Sequence, residues 1–143
     1  MPFSLHGIGV SRGYAIGRTY LLERNQPEIT EYTIPDAIVE DEVQRFLNSL
    51  AVARQQLQDI RLRIPATAPG DVTAFIVAHL LMLEDVTFTE APVRLIRAHH
   101  CNAEWALKIQ RDSLVQVFDS MDDPYLRTRK DDVDHVVRRI QRI

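Results

Sequence analysis

Apolar residues recur at two different periods along this chain. Over residues 14–22 they alternate, with Tyr14, Ile16, Arg18, Tyr20 and Leu22 on one side of an extended segment and Ala15, Gly17, Thr19 and Leu21 on the other. Period-two alternation with aromatic and β-branched residues predicts a strand. A lone strand leaves its backbone donors and acceptors unpaired, so it needs a sheet, and the remaining sequence offers no strand partner. Residues 24–35 (RNQPEITEYTIP) carry two prolines and predict a loop.

Beyond that loop the period lengthens. Val39, Val43, Phe46, Leu50, Ala53, Leu57, Ile60 and Ile64 follow alternating steps of four and three, a sustained heptad stripe. Glu40, Asp41, Glu42, Arg45, Arg54, Gln55 and Gln56 take the other faces. The pattern predicts a long amphipathic helix over about residues 36–63, stopped by the breaker PATAPG. Residues 71–83 predict a second helix almost encircled by apolar side chains, which is either largely buried or presents part of that surface to a partner. A helix begun at Asp85 would place Pro92 deep in its interior, against the carbonyl four residues back. The expectation is therefore a break over residues 84–88 and a short helix from the cap Thr89 to about residue 99.

Asn102 can cap a helix to about residue 120, with Ala106, Ile109, Leu114, Val117 and Phe118 inward. Either Asp122 or Asp123 caps the last helix, with Pro124 in its first position. Leu126, Val133, Val136, Ile140 and Ile143 keep heptad phase to the final residue, which is expected either of a pattern that continues past it or of a natural C-terminal helix. The expected fold is mostly α: two antiparallel helical hairpins in a bundle, preceded by a strand that belongs to an absent α/β domain.

Bulk properties narrow the function classes. At 143 residues, 45% hydrophobic and 26% charged, the chain has the size and balance of one folded domain. A net charge of -3 disfavours duplex nucleic acid as a partner. The single cysteine, Cys101, excludes an internal disulfide framework and fits a reducing compartment. No run approaches about 18 consecutive apolar residues, and MPFSLHGIGVSRG has neither a charged leader region nor a long apolar one, so a cytoplasmic protein with no membrane partner is expected.

Several arrangements suggest chemistry and lose it on inspection. Gly7, Gly9 and Gly13 have the wrong spacing for a dinucleotide loop and precede a strand rather than a helix. His99, His100 and Cys101 are adjacent, so their side chains diverge, and only His6, His79 and His135 remain to complete a metal site; no metal is expected. Asp131 and His135 are an exposed helix pair, and Arg138, Arg139 and Arg142 a solvated face. His79, on an apolar helix, is more simply a hydrogen-bonding structural residue than a reactive one.

Two segments carry a family resemblance. GIGVSRGYAIG, residues 7–17, resembles the opening of phosphoenolpyruvate-utilising phosphotransferases, of the form G-I-x-x-S-P-G-x-A-x-G, with Arg12 in place of the usual proline. FIVAHLLMLED, residues 75–85, followed by MDDPYLRTRKDDV, residues 121–133, resembles the helical docking subdomain of the same enzymes. The MDDPYLR form is similar to the nitrogen-related branch.

This resemblance to phosphoenolpyruvate–protein phosphotransferases (Enzyme I type) implies the following. Residues 1–23 hold the first strand of the swivelling α/β phosphohistidine domain, and residues 24–143 form the helical carrier-binding domain. The full-length enzyme uses phosphoenolpyruvate and Mg²⁺ to phosphorylate a histidine in a G-G-x-x-S-H-x-A motif, hands the phosphoryl group to a histidine-phosphocarrier protein (HPr-like), and is a homodimer. That motif is absent from this sequence, so no catalytic residue and no cofactor is expected in this chain, which alone should be inactive. The matched positions make His79, Leu81, Met82, Asp85, Phe88, Phe118, Asp119, Tyr125, Leu126 and Arg129 the expected carrier-binding residues, with Asp85 and Asp119 facing basic groups on the carrier. Val86, Thr87 and Phe88 stand where relatives are often acidic, and Leu81, Phe118 and Leu126 are equally readable as plain core. Two other readings remain open: the same module in another phosphoenolpyruvate-dependent phosphodonor, such as that of dihydroxyacetone kinase, or a helical adaptor whose heptads mediate oligomerisation.

Overall fold

The computed structural model describes residue 2, residues 4–20 and residues 28–143. After a single 3-10 turn, Asp36–Ile38, come α1 (Val39–Arg63), α2 (Gly70–Glu84), α3 (Val86–His99), α4 (Ala103–Asp119) and α5 (Pro124–Gln141). The fold is a four-helix bundle in which α2 and α3 succeed each other along α1, and α4 packs on α3 and α5.

The heptad stripe of α1 does what its spacing predicts. Val39, Val43, Phe46, Leu50, Ala53 and Leu57 are buried, whereas Ile60 reaches the surface near the helix end. Phe46, Leu57, Leu83, Ile96 and Val136 are the largest fully enclosed apolar side chains, and they come from α1, α2, α3 and α5. Ala53 and Ala106 are wholly inaccessible, small residues at positions where helices approach closely.

The expected strand is not formed. Its described part, residues 14–20, has no strand pairing, and Tyr14 and Ile16 are fully exposed; Leu21 and Leu22 lie outside the described residues. Alternation selects a pleated conformation only where an edge exists to receive it. Among the described residues, bridge pairing is confined to Thr33 and Cys101.

A second correction concerns α3. The break expected over residues 84–88 shrinks to Asp85 alone, whose backbone is extended (φ -71°, ψ 141°). Asp85, not Thr89, is the N-cap: its Oδ1 accepts from the Thr87 amide at 2.8 Å. Pro92 therefore does lie inside the helix, and the Phe88 carbonyl lacks its usual amide donor four residues on. Burial of Phe88, Pro92, Val93 and Ile96 outweighs that loss. Taken together, Gly70–His99 is long and apolar enough by composition to cross a membrane, with 22% of its most apolar window buried. Both helices nevertheless pack on α1, α3 adds α4 and α2 adds α5, and Asp85 interrupts the run. The apolar side chains left outside are the more informative feature.

Asn102 stands at the N-cap of α4 but makes no side-chain cap bond. Its Nδ2 donates to Thr30 O at 2.8 Å and Glu104 Oε2 at 2.9 Å, and its Oδ1 accepts from Tyr32 N at 3.1 Å. It thus pins the incoming loop to the bundle. The first amide of α4, from Ala103, instead donates to Glu42 Oε1 of α1 at 2.8 Å. Of the residues expected inward on α4, Ala106 is buried, Ile109, Leu114 and Phe118 are half-buried, and Val117 is exposed. On one flank Leu114 and Phe118 line an open groove, while the same stretch of α4 still runs beside α5.

Candidate functional site

That groove, about 380 Å³ in volume, lies between the α2–α3 junction and the α4–α5 pair. Ala78, Leu81 and Met82 of α2, Asp85, Thr87 and Phe88 at the junction, Leu114 and Phe118 of α4, and Arg129 and Val133 of α5 line it. Its composition follows from α2, which has more apolar faces than the bundle can cover: Ile76 and Leu83 point into the core, so Leu81 is left 63% exposed. Phe88, only 4% exposed, forms the floor. Asp85 and Arg129 bring one charge of each sign to the apolar lining. Hydrogen bonds from the Thr87 hydroxyl and amide hold the Asp85 carboxyl below the usual carboxylate range, so it is anionic at neutral pH.

Six of the ten expected residues meet here: Leu81, Met82, Asp85, Phe88, Phe118 and Arg129. The other four do not line the groove. Asp119 is held by Lys130 Nζ at 2.9 Å. Tyr125, 61% exposed, lies beside it in the first turn of α5, its hydroxyl accepting from Arg129 Nη2 at 2.8 Å while the guanidinium carbon sits 5.3 Å from its ring centre. Leu126 is half-buried. His79 is 2% exposed and faces α5.

Ala78, Thr87, Leu114 and Val133 were not anticipated. Three of them had a readable signal: Ala78 and Leu114 precede Met82 and Phe118 by one helical turn, and Val133 follows Arg129 by one turn, on the same faces. Thr87 enters through the cap geometry, which the misplaced start of α3 concealed.

A second cluster lies behind the groove. His79 Nε2 is 3.4 Å from Asp132 Oδ1, and the Phe75 ring packs on the His79 ring with centroids 4.0 Å apart. The His135 ring lies 6.1 Å from both. Burial, only partly offset by Asp132, lowers the His79 pKa from its ordinary value, which leaves a neutral imidazole at neutral pH. Arg129 Nη1 stands 3.8 Å from Asp132 Oδ2 and so joins the two regions. His135 therefore groups with Asp132 rather than making only the exposed pair with Asp131 that the spacing suggested. The His99–Cys101 run does spread apart: His100 Nδ1 contacts Asp36 Oδ1 at 2.8 Å, and Cys101 is buried with Sγ 3.7 Å from Leu95 O.

Residues 6–129 match the family described as PEP-utilising enzyme, N-terminal. The phosphoenolpyruvate-protein phosphotransferase of Cupriavidus necator is 40% identical over 140 residues, 98% of this chain and 24% of that protein. The corresponding proteins of Listeria innocua and Bacillus subtilis are 35% and 33% identical, over 98% and 95% of this chain and 24% of each. The chain thus spans 24% of the length of these curated relatives. An NMR solution structure of Enzyme I is similar with a TM-score of 0.74 at 23% identity, covering 81% of this chain and 47% of that one. At that identity the likeness speaks for the fold alone.

Proposed function

Because the chain belongs to the N-terminal family of phosphoenolpyruvate-utilising enzymes, in the form carried by phosphoenolpyruvate-protein phosphotransferases, we propose that it is the docking region of such an enzyme. Its groove receives a small histidine-phosphocarrier protein. The observation that carries this reading is the groove itself: exposed Leu81, half-buried Met82 and Phe118, and Asp85 and Arg129 around a Phe88 floor. An apolar centre with a charged rim is what a transient protein interface requires, and methionine and aromatic side chains adapt to a partner surface. The anionic Asp85 suits a carrier with basic groups beside its histidine.

Phosphoryl transfer between two histidines is chiefly a matter of positioning and charge stabilisation. A module that contributes no reacting group can therefore still govern the rate, by holding the carrier where two imidazoles meet in line. On this reading the phosphorylated histidine, the Mg²⁺-dependent reaction with phosphoenolpyruvate and the dimer contacts belong to the remaining length of the enzyme. The exposed residues 14–20 would add a strand to its α/β domain.

Titration of the isotopically labelled chain with a phosphocarrier, followed by NMR, tests the proposal. Shifts should cluster at residues 78–88 and 114–133, and incubation with phosphoenolpyruvate and Mg²⁺ should leave no acid-labile phosphate on this chain. Carrier shifts elsewhere, or none, would favour the adaptor reading and defeat this one.

A further inference from the structure

We propose that His79, Asp132 and His135 form a binding site for one late first-row divalent ion, of which Zn²⁺ is the best match. One ligand atom from each lies within 4.8 Å of the other two. The His79 Nε2 to Asp132 Oδ1 separation of 3.4 Å is longer than an ordinary N–H···O hydrogen bond. It is close to the tetrahedral edge of about 3.3 Å that follows from zinc–nitrogen and zinc–oxygen bonds near 2.0–2.1 Å, so His79 and Asp132 are already spaced for an ion and His135 has to close on it. Asp132 and His135 are three residues apart on α5 and share a face.

The set is also prepared in the way metal ligands are. His79 is buried and its ring is fixed by Phe75, while the exposed His135 is free to close over an arriving ion. Arg129 approaches Asp132 through Oδ2, which orients the carboxylate and leaves Oδ1 for the metal. Two imidazoles and one carboxylate select zinc-like ions over Mg²⁺ and Ca²⁺, which prefer oxygen. A fourth position on the solvent side would hold water. The sequence concealed the site because its ligands are 53 residues apart and Asp132 gains meaning only through the phase of α5. The bound ion would tie α2 to α5 directly behind the docking groove, but the site stands on its own geometry, whatever the groove binds.

The test is titration of the tag-free, metal-free 143-residue chain with Co²⁺, then Zn²⁺. The expected result is one Co²⁺ per chain, with the intense visible absorption of a tetrahedral site, bleached by Zn²⁺ and not by Mg²⁺. His135→Gln, at an exposed position, should weaken binding at least about tenfold, as should Asp132→Asn. His99→Gln should leave it unchanged. Absence of a saturable cobalt spectrum, binding that survives His135→Gln, or binding lost in His99→Gln would overturn the assignment.

Discussion

The Asp85 carboxylate accepts the Thr87 amide hydrogen bond at 2.8 Å, and this contact turns the chain from α2 into α3 within one residue. The Asp85 carbonyl also accepts the Thr89 hydroxyl and the Phe88 and Thr89 amides, each at 3.0 Å, so the first turn of α3 is tied to this residue through both its side chain and its backbone. Asp85→Ala removes the cap and should lower stability by about 1 kcal/mol, read from urea unfolding. Asp85→Asn keeps an acceptor and should lose only a few tenths of that. Equal losses from the two variants would mean that charge, not the hydrogen bond, holds the turn.

Pro92 sets two terms of opposite sign against each other. An interior proline is about 3 kcal/mol less favourable than alanine in a helix. The ring carbons lost in Pro92→Ala, fully buried here, are worth about 1.6 kcal/mol at about 0.8 per methylene. The variant should therefore be more stable by about 1 kcal/mol in urea unfolding, less any cavity term. A net loss of stability would show that packing of the ring on the core outweighs the restored hydrogen bond to Phe88.

Glu42 supplies the acid-sensitive joint of the bundle. It accepts the first amide of α4, pairs with Arg45 at 2.5 Å, and Arg45 also reaches Glu104 at 2.7 Å. The Arg45 hydrogen bond, against some desolvation, holds the Glu42 pKa below its ordinary value. Burial opposes ionisation of Glu104, yet Arg45 and Asn102 keep its pKa lowered too. Depressed carboxylate pKa values mean stability that is complete above the unfolded value of about 4.3 and lost as pH falls through the folded pKa. Thermal melts should thus show a deficit for Glu42→Gln near neutral pH that narrows below about pH 4. Glu42→Ala, which also orphans the Ala103 amide, should lose about 1–3 kcal/mol at neutral pH.

Helix existence and phase were legible because burial in this bundle repeats with the helical period. The α1 stripe, Pro124 in the first position of α5 and the inward Val133, Val136 and Ile140 follow from spacing alone, whereas the choice of Asp123 over Asp122 as cap is made by its hydrogen bond from the Tyr125 amide. The start of α3 was not legible, since the expected cost of Pro92 is local and the burial that offsets it is not. Asn102 and Glu42 exchange the roles that propensity assigns, because the loop at Thr30 and Tyr32 needs the Asn102 side chain more than α4 does. Within the groove, Ala78, Leu114 and Val133 stand one helical turn from Met82, Phe118 and Arg129 and were open to the same helical spacing, whereas Thr87 became visible only once Asp85 was known to cap α3. His79 carried no sign of its direction: an apolar helix with exposed and buried faces offered two places for it, and Asp132 decided between them.

Leu81 and Phe88 line the same groove but differ in what they hold together, and that difference separates docking from folding. Leu81 is largely exposed, so Leu81→Ala should change stability by less than about 0.5 kcal/mol. If the carrier seats on it, the same variant should weaken carrier binding about tenfold, the loss of about 1.4 kcal/mol expected of a central apolar contact. Phe88 is the groove floor and part of the core, so Phe88→Ala should cost about 3–5 kcal/mol of stability before any effect on binding is read. Calorimetric titration of the carrier into the Leu81→Ala chain, beside a urea melt of the same sample, distinguishes the cases. Unchanged affinity with unchanged stability would leave Leu81 without a partner and remove the groove's most exposed contact from the docking surface.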